Sequence, residues 1–276
     1  MINLLAGIFL RIFSNSYINV FQKYLTNNNE KSSVINFYTY LGLVVIGLII
    51  TPSPIYSHDY LIHILTMGLL GAIGNYFIIK ALSCGELSTL APINSYKPIV
   101  ALIFGFFLLN EIPNPLDVLG MFLIILGTFF LTNSKTFFNK STLFRFLALI
   151  FSGTEAIFIK KVILLTNISS AFLYWALAGL VFSILFVLFS KHPLKINKTN
   201  FKYQIILIFL VALMQYSTNY VFAKMNVAYA LALFQLSTIV SVFLGVNIFK
   251  EKGLMRKLFA SFVMIFGAII IILNKL

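Results

Sequence analysis

The sequence predicts an all-α integral membrane protein whose ten transmembrane helices form two inverted five-helix repeats. Three observations carry this. Of 276 residues, 60% are hydrophobic and only 10% charged, against roughly 25% charged in a soluble domain, and the mean hydropathy is +0.99. Apolar runs recur along the whole length, each suited to a bilayer core about 30 Å thick that takes about 20 helical residues. Finally, the stretch 75–131 has an echo at 219–273: each opens on Asn-Tyr, with a lysine four residues after the tyrosine and a glutamate after a long apolar span. Asn219 lies 144 residues after Asn75, and Glu251 lies 140 after Glu111.

Apolar runs between polar breaks place spans at 2–23, 34–50, 61–82, 88–109, 116–132, 143–163, 169–190, 203–223, 226–248 and 256–274. The first has no basic flank and no small-residue cleavage site, so it reads as a retained span. Breaks carry turn chemistry, as in Thr51-Pro52-Ser53-Pro54 and the polar run from Lys191 to Lys202. The repeats are 1–135 and 140–276, within one membrane domain. Five spans per copy is an odd number, so the second copy enters the bilayer from the opposite side, as in many secondary transporters. The lone Cys84 excludes an internal disulfide and a cysteine-based metal site. The net charge of +13 reflects basic loops rather than nucleic-acid binding. Counting Lys23, Arg145, Lys257 and others as loop charges favours cytoplasmic odd-numbered loops and termini outside.

Polar residues inside spans are costly and face a bundle interior or a wet cavity. Arg11, Asn15, Asn19 and Lys23 recur at i+4 and form one stripe down the first span, either lining a cavity or bonding a neighbouring helix. Lys97 lies in Pro92-Ile93-Asn94-Ser95-Tyr96-Lys97-Pro98, between prolines that free backbone carbonyls at mid-span. Such a broken helix is tolerated where it is buried in protein or lines a cavity. Here Asn94, Tyr96 and Lys97 are candidates for solute contact, with a structural ion pair as the alternative role for the lysine. Glu155 is the carboxylate within a span; it either couples proton movement or neutralises a buried base. Two interior bases against one acid would be balanced by a solute carrying a carboxylate or phosphate. Asn75 and Tyr76 in the third span, and Gln215, Tyr216, Asn219 and Tyr220 in the eighth, complete the candidate solute-binding set. Gly68, Gly71 and Gly74 form a small-residue packing strip. Tyr174 and Trp175 suit an interfacial belt. Glu111 and Glu251 read as helix-end anchors.

With these residues the chain resembles the drug/metabolite transporter superfamily, in particular its ten-span EamA-type members. The resemblance rests on Glu111 with Gly120 and Gly127, on Glu251 with Ala260 and Gly267, and on Phe21-Gln22-Lys23 and Phe158-Ile159-Lys160 ending the first and sixth spans. Ala260 departs from the glycine pattern, and the second copy lacks counterparts of Pro92, Lys97 and Pro98. The resemblance implies a basket with spans one, three, four, six, eight and nine, and parts of two and seven, around a central cavity and spans five and ten outside. It also implies cytoplasmic termini, against the charge count.

The expected function is a secondary transporter, an exporter or exchanger of a small organic metabolite bearing an anionic group, such as an amino acid or nucleotide-like solute. No Walker A loop is present, so the energy comes from a gradient, with protons as the coupling ion if Glu155 serves that role. No cofactor, metal or nucleic acid is called for; the partners are the solute and the bilayer, the protein being a monomer in the cell membrane of a bacterium. The alternatives are a membrane-embedded enzyme, disfavoured because His58, His63 and His192 are scattered, and a receptor or scaffold without transport.

Overall fold

A computed structural model describes residues 2–55, 60–97, 99–100, 114–131, 139–190, 193–225 and 227–273. The described residues are helical with short connections. The helices are α1 (Ile2–Asn27), α2 (Ser32–Ile50), α3 (Leu61–Leu82), α4 (Leu87–Leu90) running into a 3-10 helix (Ala91–Tyr96), α5 (Pro115–Leu131), α6 (Lys140–Leu165), α7 (Ile168–Ser190), α8 (Lys198–Lys224), α9 (Val227–Phe234), α10 (Ser237–Phe249) and α11 (Leu254–Leu273). Five of them are long and apolar enough to cross a bilayer by length and composition: α1, α2, α3, α7 and α8. The chain is a multi-pass membrane protein. Glu111 and Pro98 lie outside the described residues.

Packing pairs helices of one half with helices of the other. The closest pairs are α1 with α8, α3 with α6, α2 with α7, and α5 with α11. Exchanging each span for its counterpart five spans along turns α1·α8 into α6·α3 and leaves the other two pairs unchanged, so the packing repeats the duplication seen in the sequence. Small residues permit the closest approaches. A Cβ on Gly68 would lie 2.1 Å from the Ala178 Cβ on α7, and one on Gly267 of α11 would lie 2.6 Å from the Gly120 carbonyl oxygen on α5.

Two helices break inside the bundle. In the first copy, α4 tightens into the 3-10 turn at Pro92, where proline removes a backbone donor. The Leu90 carbonyl there accepts from Arg145 Nε on α6 at 3.1 Å. In the second copy, the ninth span, expected to be continuous over 226–248, is interrupted between α9 and α10 without any proline. Side chains hold that break instead. Gln235 Nε2 donates to the Leu231 carbonyl at 2.9 Å, and Ser16 Oγ on α1 donates to the Ser237 carbonyl at 2.9 Å. The first helix of each copy therefore donates a side-chain hydrogen bond to a carbonyl beside the break in the other copy's helix.

The charge count used for orientation requires correction. Lys23, Arg145 and Lys257 are 7%, 4% and 3% exposed; they are internal partners rather than free loop charges, so the bias they supplied is void. Lys23 Nζ meets Glu251 Oε1 at 2.6 Å and the Gly85 carbonyl at 2.9 Å. Glu251 sits in the turn after α10, where Lys250 takes a left-handed φ of 56° and Gly253 one of 82°. Its oxygens accept the backbone N–H groups of Leu87 and Ser88, each at 2.8 Å, and the Ser88 hydroxyl. Lys257 adds a 2.7 Å bond to Ser88 Oγ and a 2.5 Å contact with Glu86. This clasp ties the end of α1, the start of α4 and the α10–α11 turn together at one end of the bundle. Gly245 is required beside it, because a Cβ there would lie 2.7 Å from Glu251 Oε2 and 2.9 Å from the Ser88 nitrogen. Burial pushes the Glu251 carboxyl up, but the hydrogen bonds from Lys23 and Ser88 outweigh it and hold the group below the usual carboxylate range.

Candidate functional site

Between the two halves lies a cavity of about 110 Å³, lined from α1, α2, α3, the 3-10 helix, α6, α7, α8 and α9. Among the described residues, α5 and α11 contribute nothing to its wall. One wall is the α1 stripe, with Arg11, Asn15 and Asn19 continued by Gln22. Asn15 Nδ2 donates to Ser237 Oγ at 3.1 Å, which locks the stripe onto the break between α9 and α10. Gln22 Nε2 donates to Asn75 Oδ1 at 3.0 Å, and Asn75 Nδ2 donates in turn to Asn36 Oδ1 at 2.6 Å. This amide relay crosses α1, α3 and α2.

The opposite wall carries Asn94 and Lys97 from the first broken helix, Arg145, Ser152 and Glu155 from α6, and Trp175 from α7. Trp175, expected in an interfacial belt, is instead 5% exposed, and its Nε1 donates to Glu155 Oε1 at 2.5 Å. Tyr174 does not belong to the cavity; its hydroxyl donates to the Ile55 carbonyl at 2.9 Å. Gly71 makes room for the Glu155–Trp175 pair, since a Cβ there would lie 2.3 Å from Glu155 Oε1 and 2.7 Å from Trp175 Nε1. Of the glycine strip, Gly71 thus serves the cavity while Gly68 serves packing. Tyr40 packs at a tilt against the indole, with ring centroids 5.1 Å apart.

The cationic side chains of the wall are Arg11, Lys97 and Arg145; among the described residues, Glu155 is the carboxylate lining it. Arg145 is spent partly on the Leu90 carbonyl. Arg11 lies over the Phe234 ring, 4.8 Å from its centroid. Its Nε and Nη1 are buried and have no hydrogen-bond partner among the described residues.

Seven of the twelve solute-binding candidates line the cavity: Asn15, Asn19, Asn75, Asn94, Lys97, Glu155 and Gln215. The other five point elsewhere. Tyr76 stacks on Phe186 at 5.0 Å and receives a 3.4 Å contact from Lys80. Tyr96 packs edge-on to Phe146 at 5.2 Å. Tyr216 lies in an outer groove with Ser169. Tyr220 covers Gly7 on α1. Asn219 is fully buried between Gln215 Nε2, which it accepts at 3.0 Å, and the Ile168 carbonyl, to which it donates at 3.3 Å. Arg145, Gln22 and Trp175 line the cavity although sequence reasoning left them out of the candidate set. The signal for Arg145 was its position inside the sixth span, which its proximity to Lys140 obscured.

No curated protein matches the chain. A solved structure described only as the crystal structure of a protein has a TM-score of 0.69 to this one at 14% identity, covering 97% of this chain and 95% of that one, a likeness of fold alone. The EamA-like transporter family matches twice, over residues 3–133 and 139–273. Two matches spanning nearly the whole chain, one on each half of a helical bundle around a shared polar cavity, place this protein in the EamA-like transporter family.

Proposed function

We propose that the protein is a secondary carrier that moves a small organic solute with an anionic group by alternating access around the central cavity. The observation that supports this most directly is the charge of the cavity wall, where, among the described residues, Arg11, Lys97 and Arg145 face one carboxylate, Glu155. Uncompensated charge away from bulk water is expensive, and an anion entering the site offsets it. The volume of about 110 Å³ is several times the roughly 10–15 Å³ one water needs and below the ~300 Å³ of pockets for drug-sized ligands. It favours an amino-acid-sized solute over a nucleotide-sized one.

Alternation rests on the two halves acting as inverted repeats of five spans each, over 1–135 and 140–276. The clasp at Glu251 closes one end of the bundle in this conformation, and rocking one repeat against the other requires it to open. Asn15, Asn19, Asn75, Asn94, Lys97, Glu155 and Gln215 are the residues we assign to solute contact. Uptake of labelled metabolites into proteoliposomes tests the reading. Saturable flux is expected, and it should fall when Lys97→Ala and Glu155→Gln are combined; flux unaffected by that pair removes the site assignment.

A further inference from the structure

We infer that the solute is a dianion, carried into the cavity as two negative charges that together neutralise the wall. This rests on the carrier reading above and specifies its substrate class. Three cationic side chains, Arg11, Lys97 and Arg145, face the cavity with one carboxylate, Glu155. Glu155 offsets one of them, and its Oε1 also accepts the Trp175 indole N–H at 2.5 Å and is packed against Gly71. The described residues of the wall therefore carry a formal surplus of two positive charges. A zwitterion leaves that surplus untouched, a monoanion halves it, and a dianion closes it.

The geometry at Arg11 says where one of the two charges sits. Its Nε and Nη1 are buried and without a hydrogen-bond partner among the described residues, although a buried guanidinium nitrogen left unpaired is costly. The Nε–H and the Nη1 donors lie on either side of Cδ rather than along one edge, so each offers its own charge-assisted hydrogen bond to an oxygen of a carboxylate or phosphate. The Phe234 ring lies beneath the guanidinium, 4.8 Å from centroid to Cζ. The second charge falls to Lys97 on the facing wall, where a flexible ammonium accommodates either a second carboxylate or the remaining oxygens of a phosphate. The amides of Asn15, Asn19 and Gln215 supply donors and acceptors for hydroxyl or carbonyl groups between the two ends.

The test uses the full-length protein in detergent and in liposomes, with succinate and glycerol phosphate as dianionic probes and propionate, glycine and putrescine as controls, at matched ionic strength. Both the dicarboxylate and the phosphate ester meet the charge requirement, and the stronger of the two identifies the source of the charge. Thermal stabilisation by a dianion should exceed that by every control. Its apparent affinity should weaken at least about tenfold in Arg11→Gln and in Lys97→Met, the loss expected when a charge-assisted hydrogen bond is removed. Arg11→Lys, which keeps the charge and loses the spread of guanidinium donors, should weaken it less than Arg11→Gln. Equal or stronger stabilisation by propionate or glycine overturns the inference, as does a dianion affinity unchanged in both Arg11→Gln and Lys97→Met, or no stabilisation by either dianion. The melting temperature of each unliganded variant reports whether it has folded. Dianion binding without counterflow in liposomes retains this inference and removes the carrier reading. Counterflow of a monoanion alone does the reverse.

Discussion

Replacing Glu251 with alanine strips the clasp of its acceptor. Lys23, 7% exposed, loses a carboxylate at 2.6 Å, and the N–H groups of Leu87 and Ser88 lose acceptors at 2.8 Å. Removing one partner of a buried ion pair costs about 3–5 kcal/mol. At roughly 2–4 °C per kcal/mol for chains of this size class, the melting temperature of purified protein should fall by on the order of 10 °C. Removing both charges, as in Lys23→Met with Glu251→Leu, leaves no buried ion unpaired and should recover part of that loss. Effects of the two single changes should thus be far from additive, with a coupling of at least about 2 kcal/mol. The pH dependence has a fixed sign. A carboxyl held below its ordinary range contributes stability that is fully present above that range, about pH 4.3 in the unfolded chain, and is lost as pH falls through the lower native value. Wild type should therefore lose its advantage over Glu251→Gln as the medium is acidified through that window. A fall of less than about 2 °C in Glu251→Ala, or additivity of the two single changes, refutes the assignment of the clasp as a buried, coupled pair.

Three further outcomes follow from the packing and the cavity. Gly71→Val pushes a side chain into the space held by Glu155 and Trp175 and should abolish solute binding, read by loss of ligand-induced thermal stabilisation; Gly68→Ala, which clashes with α7 instead, should lower stability with binding retained in the folded fraction. If Glu155 couples protons, Glu155→Gln should remove the response of the residual flux to an imposed pH gradient, measured by comparing flux with and without the gradient. Ser16→Ala removes the donor that reaches the Ser237 carbonyl and should cost about 1 kcal/mol of stability, against a negligible cost for Ser53→Ala in the exposed turn after α2.

The membrane character, the duplication and the α1 stripe were legible in the sequence because each depends on local periodicity. Asn15 and Asn19 recur at helical spacing, and so do the rows of α8. Periodicity does not say which of two adjacent rows faces inward. On α8 the row containing Val211, Gln215, Thr218 and Phe222 lines the cavity, while Tyr216 and Tyr220 begin one residue further round, a turn of about 100°, and point away. The echo of Asn-Tyr in both copies marks corresponding positions, yet only its first member, Asn75, reaches the cavity, and Asn219 is taken up by Gln215 and Ile168.

Composition and spacing by themselves determined that this chain lives in a bilayer, that it is built twice from one pattern, and that its interior carries Lys97 and Glu155. Tertiary structure alone decided the rest, since it rests on contacts between residues far apart in sequence. It decided that the second broken helix, which has no proline, carries hydrogen bonds from Gln235 and Ser16 to carbonyls beside its break. It decided that Glu251 pairs with Lys23, 228 positions away. It also decided that Arg145, which reads as an interfacial base beside Lys140, faces the cavity. No local signal encodes which carbonyl, carboxylate or cation a side chain meets across a helix interface, because that choice belongs to the packing of the two halves against each other.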